Sequence, residues 1–294
     1  MGDDPDSRPI LVAVGNPDHV EQLVRTAGDL ARVTDGRIQI VSVVSKPHNS
    51  PFSLYTDETI LEEYAGTSRK ILDKATRVAP DDVTVTSEPI VGRSIADGVL
   101  TAVGQTNARA LVVGWQERKR RTDAVLGTTV DRLIQRAPCD LYVERIGQEA
   151  NTVDSILLPV AGGPHVRPAA SVAKAIAARN DATVHVFAVD ASQTDPETAR
   201  EYIARAELSL EEAPGPHIQV ESAIDDGDEI AEAIVEVAID HDVIVFGATR
   251  QGVLHRRLVG SVPRTVVHRS DRTVILARAG DVVDSPLKRR LPWV

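Results

Sequence analysis

Short apolar runs alternate with amphipathic stretches along the chain, and the whole pattern occurs twice. Residues 10–14 (ILVAV) and 156–160 (ILLPV) read as buried strands. Each leads into a loop holding a proline and a histidine, GNPDH at 15–19 and AGGPH at 161–165. Helical stretches rich in Ala, Val and Leu come next, at 20–33 and 166–178, followed by second strands at 38–44 and 183–189. Charged helical stretches occupy 57–78 and 195–212, with third strands at 83–91 and 218–224. A glycine then stands three residues before an isoleucine that opens a helix, Gly92/Ile95 and Gly227/Ile230. Fourth strands end at Gly114 (ALVVG) and Gly247 (VIVFG), and a basic loop follows each. Gly127-Thr128 and Gly260-Ser261 open the last helices, and fifth strands lie at 141–144 and 273–277.

Strand alternates with helix five times, twice over. That order predicts α/β architecture, two tandem open sandwiches, each a five-stranded parallel sheet with helices on both faces. The expected domains are 8–146 and 154–279, each of comfortable single-core size, joined by the polar linker 146–154 (IGQEANTVD). The stretch 46–56, rich in Pro, Ser and Asn, reads as a surface loop without a counterpart in the second copy. The tail 280–294, ending KRRLPWV, stands outside the repeat.

Both copies place a glycine at the end of the fourth strand and another at the start of the last helix, thirteen residues on: Gly114/Gly127 and Gly247/Gly260. Helix-start amides lack internal partners and the helix dipole is positive there, so a close glycine backbone suits an anion. Thr128 and Thr129 in one copy, Ser261 and Val262 in the other, form the first helical turn. The loops between carry Arg118, Lys119, Arg120 and Arg121, or Thr249, Arg250, Arg256 and Arg257, which suit phosphates. The same residues are also ordinary N-cap chemistry and solvated loop arginines.

Charge narrows the ligand class. The chain of 294 residues carries a net charge of −10 and only 3% aromatics, which argues against a nucleic-acid partner. No apolar run approaches a membrane span, and the acidic MGDDPDSRP start lacks the apolar stretch of a secretory signal, so a cytoplasmic location is expected. One cysteine, Cys139, excludes a disulfide framework and reads as a buried small residue.

GATRQGVLHRRLVGSVPRTVV at 247–267 resembles the signature of the universal stress protein family: Gly, two residues, Gly, nine residues, Gly, then Ser or Thr. GWQERKRRTDAVLGTTVDRLIQRAPCDLYV at 114–143 is a weaker copy, so the likeness covers nearly the whole chain as a tandem form, similar to archaeal modules and to those fused to amino-acid permeases. The resemblance implies a nucleotide-alpha-hydrolase-like fold, pairing through last strands (within the chain or in a homodimer) and, in some members, ATP binding. It makes Gly247, Thr249, Arg250, Gly260, Ser261, Val262 and Ala161, with Gly114, Gly127, Thr128 and Thr129, the candidate ATP or AMP site. Two departures bear on this. The aspartate that ATP-binding members carry after the first strand is Gly15 here in one copy and Ala161 in the other. The middle glycine of the signature is Glu117 or Arg250, and a carboxylate at Glu117 would repel phosphates. The second domain is therefore the expected binder. The alternative is a ligand-free interaction module regulating a partner such as a membrane amino-acid transporter.

No catalytic set is expected. Walker, dinucleotide-binding and GxSxG patterns are missing, as is any zinc spacing. His19 and His165 read as helix-start histidines bonded to local backbone, and Asp225, Asp226 and Asp228 as carboxylates favoured by a helix dipole.

Overall fold

The apolar runs become strands of one sheet in the computed structural model, which describes residues 8–47, 49–115, 127–146, 152–190, 196–227, 229–248 and 261–280. In the first half β1 (Ile10–Ala13) lies between β2 (Ile38–Ser45) and β4 (Ala110–Trp115). Outside them are β3 (Val85–Gly92) on β2 and β5 (Asp140–Arg145) on β4, all parallel. The second half repeats this. There β6 (Ser155–Pro159) lies between β7 (Thr183–Val189) and β9 (Val243–Gly247), with β8 (Val220–Asp225) outside β7 and β10 (Thr273–Arg278) outside β9. The last strands then meet. β10 runs antiparallel to β5, Ile275 opposite Glu144 and Leu276 opposite Val143. One ten-stranded sheet results, in the order β3-β2-β1-β4-β5-β10-β9-β6-β7-β8. Of the two pairings open in the sequence, the chain makes the internal one.

Side chains alternate across the strands, so each strand feeds two cores. Ile10 and Val12 face one side with α1 (Val20–Val33), α3 (Gly66–Val78), α6 (Val166–Asn180) and α7 (Pro196–Glu212). Leu11 faces the other, with α4 (Ile95–Thr106), α5 (Thr128–Arg136), α8 (Ile230–Val237) and α9 (Ser261–Arg269). The halves are therefore joined twice, by the β5–β10 ladder and by α1 packing on α6.

Local signals set the element ends. Ser94 caps α4, its Oγ accepting from the Asp97 amide at 3.2 Å. Gly92, at the end of β3, has no room for a side chain, because a Cβ there would lie 2.7 Å from the Gly98 backbone. That contact explains the glycine three residues before the helix. Asn107 (φ 49°) and Asp181 (φ 56°) close α4 and α6 in the left-handed conformation these residues tolerate.

The structure departs from the sequence pattern in three places. The stretch 57–78 is two helices, α2 (Asp57–Glu63) and α3, because Tyr64 and Ala65 break it. Ala65 is fully buried there, and Gly66 is a weak helix former. The third strands start two residues later than the pattern suggests, at Val85 and Val220, since β3 and β8 are half-exposed edges with little apolar signal. Asp225 ends β8 instead of sitting in a helical turn, and its carboxylate accepts the Gly227 amide at 2.7 Å. Asp228 and the tail 281–294 lie outside the described residues.

Candidate functional site

The carboxyl ends of parallel strands are where such sheets take ligands. At that place each half sets a histidine against the glycine that ends its fourth strand. A Cβ on Gly114 would meet His19 Nδ1 at 3.2 Å and Leu23 Cδ1 at 3.3 Å. A Cβ on Gly247 would meet the His165 carbonyl oxygen at 3.0 Å and its Cβ at 3.2 Å. The start of the first helix thus rests directly on the strand end, and the glycine makes room for it.

The two histidines differ in setting. His19 follows a short turn that Asn16 caps, its Oδ1 accepting from the Asp18 amide at 3.1 Å. Burial holds the His19 ring below its ordinary protonation range, against the opposing pull of Asp18. His165 is buried, and its Nδ1 accepts the Ala279 amide at 3.1 Å. This backbone partner lies 114 residues away, just past β10. This bond requires a bare Nδ1, which places the ring proton on Nε2.

The loop before His165 is shaped by Gly162 (φ +72°) and Gly163 (φ +84°), both left-handed. A Cβ on Gly162 would come within 2.7 Å of the Tyr202 ring, so this loop lies on a tyrosine of α7. Tyr202 was invisible to motif reading, being a single aromatic in a long charged helix. Ala161 and Gly15, standing where nucleotide binders carry aspartate, are both exposed. Neither offers a carboxylate to a ribose.

Gly127 (φ +88°) opens α5, and no side chain caps that helix. Thr128 is exposed and Thr129 half-buried, and among the described residues no N-cap side chain takes up the first-turn amides of α5. Ser261 opens α9 exposed, with Val262 half-buried behind it. Its carbonyl accepts from Thr265 Oγ1 at 3.1 Å. The candidate residues Thr249, Arg250 and Gly260, together with Glu117 and the basic loops of both halves, lie outside the described residues.

Cys139 is buried at 6% exposure, and burial pushes its thiol up to about 12. Among the described residues no group of three His, Cys, Asp or Glu is placed to hold a metal ion. None of the described helices is long and apolar enough to cross a membrane.

The model of the universal stress protein family matches residues 7–145 and again 152–278. No curated protein matches the chain in sequence. Among solved structures, a universal stress protein from Archaeoglobus fulgidus DSM 4304 is similar over 92% of this chain and 98% of its own, with a TM-score of 0.66 and 17% identity. A putative universal stress protein from Pseudomonas aeruginosa UCBPP-PA14 covers 95% and 96%, with a TM-score of 0.58 and 19% identity. The cytoplasmic domain of a prokaryotic cation chloride cotransporter covers 94% and 97%, with a TM-score of 0.59 and 11% identity. At these identities the likeness is one of fold.

Proposed function

Because the chain belongs to the universal stress protein family, we propose that it is a regulatory, non-catalytic protein of the cytoplasm that binds ATP or AMP at the strand ends of its second half. The observation that carries this reading is the start of α9. Ser261 stands exposed at the first turn of a nine-residue helix, downstream of the glycine that ends β9. A helix start of this kind favours phosphate through its free amides and its dipole. Gly247, Thr249, Arg250, Gly260, Ser261, Val262 and Ala161 would line the nucleotide, with the guanidinium of Arg250 toward the phosphates. Gly114, Gly127, Thr128 and Thr129 would form the weaker counterpart, since the sequence puts a carboxylate, Glu117, where the family pattern has glycine. Ligand binding would alter the surface offered to a partner.

Calorimetric titration with ATP, AMP and cyclic AMP tests this. Saturable heat is expected, with a rise in Tm at millimolar ligand, because a ligand that binds the folded state stabilises it. Ser261→Glu, which puts a negative charge at the phosphate position, should abolish the response, and Thr128→Glu should leave it largely intact. Absence of heat and of any Tm shift would remove the reading.

One observation favours a second reading, a nucleotide-free module that docks on a transporter. The protein itself packs on both strand-end glycines, through the His19 side chain at Gly114 and mainly the His165 backbone at Gly247, and the carboxylate that would hold a ribose is missing twice. Purification of the chain together with a membrane transporter, and free of nucleotide, would favour this reading over the first.

A further inference from the structure

The helices that meet across the two halves are chemically unequal. α1 carries Arg25, Asp29 and Arg32 at one-turn and two-turn spacing, a stripe along one face. Counted from the first residue of each helix, Val20 and Val166, the matching positions of α6 are Ser171, Ala175 and Ala178. The stripe is only partly open to water. Asp29 is only 2% exposed, and all three residues line a cleft that Arg179 and Asn180 of α6 complete. The cleft has a volume of about 410 Å³, with the carboxylate of Glu21 also on its wall.

The charges around this cavity are unevenly satisfied. Arg32 is committed, to Asp29 at 3.0 Å and to both carboxylate oxygens of Asp82 at 2.8 Å. Among the described residues Arg25 hydrogen-bonds only Glu21, at 3.2 Å, in an exposed pair of the kind that contributes little. Arg179 makes no hydrogen bond or ion pair with a described residue. Burial raises the proton affinity of Asp29 to about 7, against the pull of Arg32, Arg179 and Arg25, so its negative charge is partly suppressed. A chain of net charge −10 has here brought three guanidiniums to one cavity, two of them weakly engaged or unengaged.

We propose that this cleft between α1 and α6 binds a small oxyanion, a carboxylate or a phosphate monoester, held by Arg25 from the first half and Arg179 from the second. Paired guanidiniums suit such oxygens because each can donate two parallel hydrogen bonds. Thr152 and Asn180, also on the cavity wall, supply neutral donors. The ligand would tie the two halves together across the helix contact, while the strand-end glycines and the starts of α5 and α9 take no part. The site is therefore independent of the nucleotide reading.

Isothermal titration and thermal unfolding of the full chain test it, with sodium phosphate and sodium succinate as separate probes, each against sodium chloride at matched ionic strength. Saturable binding of at least one probe and a Tm rise beyond chloride are expected. Response to phosphate alone identifies a phosphate monoester as the ligand class, and response to succinate alone a carboxylate. Arg179→Ala and Arg25→Ala should each weaken binding tenfold or more. Both residues are exposed, so the fold should survive, and Arg179→Lys should restore part of the affinity. Ser261→Glu should bind these probes like the unaltered protein, which separates this cleft from the strand-end crevice. Equal effects of phosphate, succinate and chloride, or undiminished binding by Arg179→Ala, would overturn the proposal.

Discussion

Glu144 of β5 lies directly opposite Ile275 of β10 in the antiparallel ladder that joins the two halves, and its side chain is fully buried. No hydrogen bond of good geometry from a described residue reaches either carboxyl oxygen. Burial therefore raises its proton affinity to about 8, Asp29 adds to the rise, and Thr26, Gln22 and Arg25 offset only part of it. The ladder between the halves thus contains a carboxyl group that is protonated at neutral pH.

That proton makes stability depend on pH. The unfolded chain releases it near the ordinary carboxylate value of 4.5, the folded chain only near 8. Between these values the folded state binds more protons, so stability falls as pH rises, and it levels off above about 8. Asp29, raised to about 7, acts in the same direction over a lower window. Glu144→Gln keeps the shape of the neutral acid and cannot ionise. It should exceed the unaltered protein by about 1 kcal/mol at pH 5 and by about 3 kcal/mol at pH 7, with part of the slope left to Asp29. Urea unfolding at pH 5, 6, 7 and 8 measures this, and an unchanged pH profile would refute the placement of the proton.

The two strand-end glycines should respond unequally to alanine. At Gly114 the new methyl meets the ends of His19 and Leu23, at 3.2 and 3.3 Å, and side chains can yield. At Gly247 it meets the backbone carbonyl of His165 at 3.0 Å, which is fixed in the first turn of α6. Gly114→Ala should cost about 1 kcal/mol and Gly247→Ala about 2–3 kcal/mol, by the usual scale of overpacking. Denaturant midpoints of the two variants decide, and the reverse order would contradict the geometry.

What the sequence shows and what it hides follow one physical line. Strands such as ILVAV and TVHVFAV are buried on both faces within their own half, so their apolar runs announce them. Repetition of the order supplies the domain architecture, and the histidines before α1 and α6 stand out as a matched pair. The contact between the halves is different. Arg25, Asp29 and Arg32 look like a solvent-facing stripe of an amphipathic helix, and Glu144 like the polar end of a short strand. Asp29 and Glu144 are nevertheless buried, under cover from residues more than a hundred positions away, and hydrophobic patterning registers no such cover. The glycine spacing of the candidate site was legible for the same reason as the strands, since it is local. The role of Gly114 and Gly247 as seats for a helix start was not, because close approach of backbone segments leaves no periodic trace.

Lys174 shows how a buried charge is accommodated without a carboxylate. It is 5% exposed, and its Nζ donates to the carbonyls of Leu210 at 2.9 Å, Glu211 at 3.3 Å and Ala213 at 2.7 Å. These are among the last carbonyls of α7 and its exit, which have no helical donor and attract a cation through the helix dipole. Lys174→Met keeps the aliphatic stem and removes the donors. It should destabilise the protein by about 2–4 kcal/mol, as expected when buried acceptors of a charged donor lose it. Lys174→Arg should recover little, since the planar fork cannot match three converging carbonyls. Equal stability of the Met variant would show that water replaces the ammonium there.

Cys139 offers a direct reading of the contact between the halves, because it is the only cysteine of the chain and sits just before β5. Its carbonyl accepts from Arg278 Nη2 of β10 at 3.1 Å, and a Cβ on Gly280 would strike its backbone at 2.5 Å. The backbone of Cys139 is thus held by the end of the second half. With burial raising it to about 12, the reactive thiolate is nearly absent at pH 8. A thiol-specific reagent should therefore label the native protein at least a hundredfold more slowly than the urea-unfolded chain. Arg278→Ala removes the donor to the Ala137 and Cys139 carbonyls and should open this region more often. Labelling should then accelerate tenfold or more at pH 8, while the unfolded-chain rate stays the same. If the variant labelled at the native rate, Arg278 would not be what keeps the halves closed over the cysteine.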